Sequence, residues 1–226
     1  MITSAQQLKA KVRNLSKGDS TKAQSIMRSF AVERFLDRLA QTPFRENFIL
    51  KGGVLVAALV GIENRTTVDI VASIKSMPLT TIEVERMVKN VISVQMHDRI
   101  SFFITEVISI MEEFEYPGIR VLLEARLEKI RIPLKIDFST DDVITPLEIV
   151  YPYKLLFEDR TVPVLAYNTE TVLAEKLETV IARQTANTRM RDFYDIYALT
   201  TDPVSSIDIN MLREAFINKS SLAVSW

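Results

Sequence analysis

Two carboxylates, Asp69 and Asp137, each lie in an apolar segment with strand-like alternation. In the stretch Val68-Asp69-Ile70-Val71-Ala72-Ser73-Ile74, Val68, Ile70, Ala72 and Ile74 share one face. Asp69, Val71, Ser73 and Lys75 share the other. Two acids side by side on such a strand would grip a divalent cation, which takes oxygen ligands. Here position 69 carries the acid and position 71 carries a valine. In Arg131-Ile132-Pro133-Leu134-Lys135-Ile136-Asp137-Phe138, parity turns Ile132, Leu134, Ile136 and Phe138 to the core and puts Lys135 and Asp137 on the opposite face. Taken alone, that pair is more readily a solvated Lys–Asp pair on an exposed sheet face than a site.

A second kind of chemistry sits just upstream. Phe48-Ile49-Leu50 reads as a short buried strand, followed by Lys51-Gly52-Gly53 and an apolar run from Val54 to Val60. Two of the chain's 5 glycines are adjacent here. They let the backbone turn tightly into a helix and present bare N–H groups, a ready site for an anion. Gly61 suits the C-terminal stop of that helix. Further along, Lys176 borders the apolar stripe of a helix, where its stem can pack while its ammonium reaches a cleft. Asp192 and Asp195 fall in Arg191-Asp192-Phe193-Tyr194-Asp195-Ile196-Tyr197, where Arg191 and Asp195 are spaced to pair along one helix face.

Taken in order, these motifs resemble the AbiEii/AbiGii abortive-infection family of nucleotidyltransferase toxins. They are the diglycine, the Asp-containing strand, the Lys-x-Asp strand, Ala174-Glu175-Lys176-Leu177 and Arg-Asp-Phe-Tyr-Asp-Ile-Tyr. The resemblance runs from about Phe48 to Tyr197 and implies an α+β, polymerase-beta-like nucleotidyltransferase core. It implies that Asp69 and Asp137 hold Mg²⁺ or Mn²⁺ as metal ligands. Lys51, Gly52, Gly53 and Lys135 would contact the nucleotide. Lys176 would face the phosphates of the incoming nucleotide, with Asp192 or Asp195 orienting a lysine or the acceptor. The family pattern is Asp-x-Asp, and Val71 stands at its second acid.

The resemblance also implies the partners: a nucleoside triphosphate such as GTP, a tRNA or other RNA acceptor, and a separately encoded antitoxin in a bacterial cytoplasm. The expected activity is transfer of a nucleotide to that acceptor, impaired by Val71. The alternative is a non-catalytic nucleotide- or partner-binding module of the same fold, and a purely structural fragment is a third reading.

Composition excludes other chemistries. There is no cysteine, hence no disulfide scaffold, thiolate metal site or thiol nucleophile. The single histidine, His97, argues against a Ser-His-Asp triad or a His-rich zinc site, and is read as structural. The net charge of −1 gives no global attraction for nucleic acid, so an RNA partner would need a local basic patch. No apolar run approaches the roughly 20 residues of a membrane span, and the N-terminus lacks a signal-peptide core, so no membrane partner is expected. With 226 residues, 47% of them hydrophobic, the chain suits one domain or two small lobes.

The positioning elements follow. Ser4 caps a helix to Leu15, broken by Lys17-Gly18-Asp19-Ser20. A longer helix spans about Thr21 to Ala40, with Ile26, Phe30, Leu36 and Leu39 on one face. Arg28, Arg34 and Arg38 lie on the other, read as a solvated face more readily than as a phosphate contact. Thr80 and Glu83 form a capping box for a helix to about Val94, with Ile82, Val88, Val91 and Ile92 in the core. Strands follow at Ile100–Ile108 and Ile119–Leu127, separated by the turn Tyr116-Pro117-Gly118. Pro133 implies incomplete pairing in the Lys-x-Asp strand. Asp141-Asp142 reads as a surface turn. Two short strands, Tyr151–Phe157 and Thr161–Ala166, carry Pro152 and Pro163 at edges or strand starts. Asn168 caps a helix to about Arg183 with a stripe of Leu173, Leu177, Val180 and Ile181. Helical segments at Asn187–Leu199 and Leu212–Asn218 close the chain. This divides it into N-terminal helices (1–45), a core sheet (46–167) and a C-terminal helical part (168–226), which is shorter than the family usually carries and is read as a short variant or a truncation.

Overall fold

The computed structural model describes residues 1–61, 69–110, 118–140, 142–183, 190–201 and 206–223. Val68, Tyr116, Pro117, Asp141, Asn187 and Arg189 lie outside that set. Helices α1 (Ala5–Ser16) and α2 (Ser20–Leu39) come first, then a 3-10 turn (Pro43–Glu46), strand β1 (Phe48–Lys51), helix α3 (Gly52–Val60) and strand β2 (Asp69–Ile74). Helix α4 (Thr81–Ser93) precedes strands β3 (Ser101–Ile110), β4 (Gly118–Leu127), β5 (Ile130–Ser139), β6 (Ile149–Lys154) and β7 (Thr161–Ala166). Helices α5 (Thr169–Arg183), α6 (Met190–Thr201) and α7 (Ile209–Ala223) follow. The strands form one mixed sheet in the order β3-β4-β5-β2-β1-β7-β6.

Local capping explains the helix starts. The Ser4 hydroxyl accepts the Gln7 amide, the Thr80 hydroxyl accepts the Glu83 amide, and Asn168 Oδ1 accepts the Thr171 amide. Helix α1 ends as Lys17 and Gly18 enter the left-handed region at φ 51° and 90°.

Period-two burial holds across the sheet. Ile70, Ala72 and Ile74 of β2, Ile132, Leu134, Ile136 and Phe138 of β5, and Val121, Leu123, Ala125 and Leu127 of β4 are all buried. This face packs on α2 and α4 through an aromatic chain. Phe35 meets Phe48 at a tilt and Phe102 edge to face, at 6.3 and 6.2 Å between ring centroids, and Phe48 meets Phe138 at 6.0 Å. The prolines sit where ladder bonds are missing. Pro152 and Pro163 face each other across β6 and β7, β6 is the sheet edge, and β7 meets β1 only at Ala166. Pro133 pairs in register with Glu124, while the described β2 pairing begins two residues on, at Lys135. No helix among the described residues is long and apolar enough to cross a membrane.

Five expectations are corrected. Ile82 is 75% exposed, and Val84 and Met87 take the core positions of α4 instead. Ile181 is exposed, because the core contact of α5 lies in its first turns, at Val172, Leu173 and Ala174. β6 begins at Ile149, and α7 is longer than Leu212–Asn218. The largest correction concerns α2. Arg34 and Arg38 are each 1% exposed, so they neither face solvent nor reach a phosphate. Arg38 donates to both oxygens of Asp98 at 2.8 and 2.7 Å and to the Ile100 carbonyl at 2.8 Å. Arg34 donates to Glu158 at 2.7 Å, and Asp37 of the same helix accepts from Arg160. The α2 face thus buries a charge network that ties the helix to the β6–β7 connection and to the entry of β3.

Glu33 is the strained member of that network. Burial pushes its carboxyl up from the ordinary 4.5 to about 8, against the opposing pull of the Leu156 amide and Arg34. Its Oε2 finds no hydrogen-bond partner among the described residues. The folded chain therefore holds a proton that the unfolded chain releases near 4.5. Stability contributed by this group falls as pH rises from about 4.5 to about 8. Glu33→Gln is expected to flatten the decline of the urea midpoint across that window, and an unchanged slope would contradict the assignment.

Candidate active site

The polar face of the sheet is set by strand register. β1 runs antiparallel to β2, β2 parallel to β5, and β5 antiparallel to β4. Lys51 therefore lies opposite Val71, Val71 opposite Asp137, and Asp137 opposite Arg120. The next row is Asp69, Lys135 and Leu122. Residues in register share a sheet face, so Asp69, Asp137, Lys135 and Lys51 come together on one side, away from the aromatic core.

Lys135 sits between the two acids. Its Nζ lies 2.8 Å from Asp69 Oδ2 and 3.9 Å from Asp137 Oδ2. Asp137 is also clamped from β4: Arg120 Nε donates to Oδ1 at 2.7 Å and Nη2 to Oδ2 at 2.9 Å. Sequence reading missed Arg120. Its place opposite the alternating core residues Ile119 and Val121 marks it for the polar face, but which acid it would meet is set only by register.

The diglycine turn lies directly over this row. Gly52 has φ 67°, and a Cβ there would approach Val71 Cβ and Cγ2 to 3.2 Å. Helix α3 starts with Lys51 at its cap position and no side-chain cap bond, so its first amides, from Gly52 and Gly53 onward, are not satisfied by a capping side chain. Gly61 ends the helix at φ 89°. Gly52→Ala forces a side chain into the left-handed region and against Val71. It is expected to cost about 1–2 kcal/mol, read as a lowered Tm; an unchanged Tm would refute the tight approach.

Lys51 is buried in a small polar cluster. Its Nζ donates to both oxygens of Asp142 at 3.0 Å and lies 4.0 Å from Glu175. Asp142 also accepts from Ser139 Oγ at 2.7 Å and from Lys219 of α7 at 3.4 Å. Both lysines approach the Tyr167 ring at 5.7 Å. Burial works to raise the Asp142 carboxyl, but Lys51, Lys219 and the Ser139 bond outweigh it, and the net direction is well below the usual carboxylate range. Asp142 is therefore no surface turn residue; it is the counter-charge of Lys51.

The third group joins α5 to α6. Lys176 Nζ lies 2.5 Å from Asp192 Oδ1 and 3.1 Å from Asp195 Oδ2, with both acids buried. Asp195 thus takes Lys176, while Arg191 is exposed. Glu175, next to Lys176, is the residue of α5 that approaches Lys51. His97 is exposed.

The acids do not fit a two-cation site as they stand. Val71 offers no oxygen, both Asp137 oxygens are engaged by Arg120, and Asp69 is paired with Lys135. Among the described residues, no group of three or more His, Cys, Asp or Glu is placed to hold a metal. In this structure Asp69 and Asp137, the residues expected to hold the ion, are paired with the side-chain cations Lys135 and Arg120.

Residues 34–221 match the family described as "Nucleotidyl transferase AbiEii toxin, Type IV TA system". The chain belongs to this AbiEii family. AbiEii proteins are nucleotidyltransferases, and the seven-stranded mixed sheet flanked by helices is the polymerase-beta-like nucleotidyltransferase core. Solved structures share the fold. JHP933 from Helicobacter pylori is 16% identical with a TM-score of 0.55, covering 89% of this chain and 78% of that one. The antibiotic-resistance factor ANT(2'')-Ia is 10% identical with a TM-score of 0.50, covering 87% of this chain and 92% of that one. No curated protein sequence matches. Nucleotidyltransferases generally use a divalent metal, and in this chain the carboxylate of Asp137 is paired with Arg120.

Proposed function

We propose that this chain binds a nucleoside triphosphate, such as GTP, on the polar face beneath the diglycine turn. We further propose that its nucleotidyl transfer to an RNA acceptor such as tRNA is impaired. The reading is carried by one observation: register gathers Lys51, Asp69, Lys135 and Asp137 beside an uncapped helix start whose Gly52 rests on Val71. The amides of Gly52 and Gly53 would take phosphate oxygens. Lys51 and Lys135 would offset phosphate charge as point charges. A phosphate reaching Lys51 must share it with Asp142.

In the transfer, the acceptor hydroxyl gives up its proton to water, its oxygen bonds to the α-phosphorus, the bond to the pyrophosphate oxygen breaks, and pyrophosphate leaves with its electron pair. Lys176, held by Asp192 and Asp195, would face the charge that develops on the phosphates. Removing one preorganised electrostatic group typically costs on the order of 10²-fold or more in rate, and Val71 removes a carboxylate outright. The family setting adds a separately encoded antitoxin and a bacterial cytoplasm to the proposal.

The Arg120–Asp137 clamp favours a second reading, a binding module that holds nucleotide without chemistry. Calorimetry with GTP, ATP, CTP and UTP, in magnesium and in EDTA, tests both. Binding that survives EDTA is expected. Labelled-nucleotide transfer to tRNA at a low rate supports the impaired enzyme, and binding without transfer supports the module. No heat with any triphosphate overturns both.

A further inference from the structure

We propose that Arg120 takes the place of a divalent cation at Asp137, so that this face supplies its positive charge from its own side chains and keeps no resident metal. The proposal rests on the reading of this face as the triphosphate site.

Three observations carry it. The first is geometry. Arg120 meets Asp137 with two parallel N–H···O bonds of 2.7 and 2.9 Å, one to each oxygen. A planar guanidinium matches a carboxylate in this way, and an ammonium cannot. A metal taking both Asp137 oxygens would have to compete with this fork. The second is the backbone. Arg120 and Asp137 are a register pair of β4 and β5, so the fork is held by the sheet rather than by a mobile loop. The third is charge. Asp69 and Asp137 are matched by Lys135 and Arg120, and Lys135 Nζ lies within 4 Å of both acids. Val71, the neighbour of Asp137 on β2, contributes neither charge nor oxygen. A hard cation selects sites by surplus carboxylate oxygen, and the described side chains of this face offer no surplus. An arginine and a valine thus act together: the valine withdraws one ligand, and the arginine occupies another.

This predicts that restoring the acid alone is not enough. Mn²⁺ is titrated without nucleotide and followed by the loss of its free paramagnetic signal. The wild-type chain and Val71→Asp are expected to bind equally poorly. The double variant Val71→Asp/Arg120→Gln is expected to bind at least about tenfold more tightly, the scale on which groups around a metal site alter affinity, and adding Asp137→Asn should abolish the gain. If the double variant fails to fold, Arg120→Lys in the Val71→Asp background keeps the charge but removes the fork, and it should also bind more tightly than Val71→Asp. Wild-type binding of Mn²⁺ that Asp137→Asn removes would overturn the proposal. So would a Val71→Asp variant that gains as much as the double, or folded double and Lys variants that gain nothing. Because the titration contains no nucleotide, it stands apart from the triphosphate reading. That reading falls instead if the wild-type chain gives no heat with triphosphate in EDTA.

Discussion

Arg38→Ala is expected to destabilise the protein by about 3–5 kcal/mol, the cost of leaving a buried charge without its partner. For a chain of this size that lowers Tm by roughly 10 °C. The reason is the setting of Asp98, which is fully buried and accepts both guanidinium bonds at 2.8 and 2.7 Å. Its Oδ1 also accepts the Ile100 amide at 3.1 Å, so the acid fixes the start of β3. Removing the arginine leaves a carboxylate in the aromatic core beside Phe102, whose ring lies 5.1 Å from the Arg38 guanidinium carbon. Arg38→Met with Asp98→Asn removes both charges and keeps an acceptor for Ile100. It should recover a substantial part of the loss, because a buried pair replaced as a unit is often close to neutral. Thermal and urea denaturation of the two variants checks this. Equal losses in the single and double variants would show that the carboxylate left without its arginine is not the source of the loss.

Lys176→Ala should show two separable defects. Its ammonium touches two buried carboxylates, at 2.5 and 3.1 Å. Without it, Asp192 and Asp195 lose a shared counter-charge, and the α5–α6 junction should weaken by several kcal/mol, in the range of about 3–5 for a broken buried pair. On the proposed function, the same change also removes a cation facing the triphosphate, at on the order of 10²-fold or more in transfer rate. The triple variant Lys176→Ala/Asp192→Asn/Asp195→Asn separates the two. It should regain stability, since no carboxylate deprived of Lys176 remains, yet stay deficient in nucleotide binding by calorimetry. Recovery of binding along with stability would show that Lys176 only holds α6 in place.

Much of the scaffold could be read before folding. The helix starts at Ser4, Thr80 and Asn168 depend on a side chain reaching an amide three residues on, a contact contained within a few residues of sequence. The faces of β2 and β5 follow from a period of two, and the diglycine turn from backbone freedom at φ 67°. Failures began where the partner is distant in sequence. Arg34 and Arg38 looked like a solvated stripe because their partners lie 124 and 60 residues away, at Glu158 and Asp98. Asp142 looked like a turn residue because its lysine lies 91 residues upstream. Ile82 and Ile181 passed as core because hydropathy does not say where a helix leaves the sheet.

By itself, the chain determined which residues are acids and lysines, which strand face each occupies, and where the backbone can turn against a neighbour. Those properties belong to single residues and their immediate successors. The tertiary structure decided which charge neutralises which: Arg120 on Asp137, Lys135 on Asp69, Asp142 on Lys51, and Lys176 between Asp192 and Asp195. Such pairings depend on distances of about 3 Å between elements far apart in sequence, distances that strand register and helix docking set.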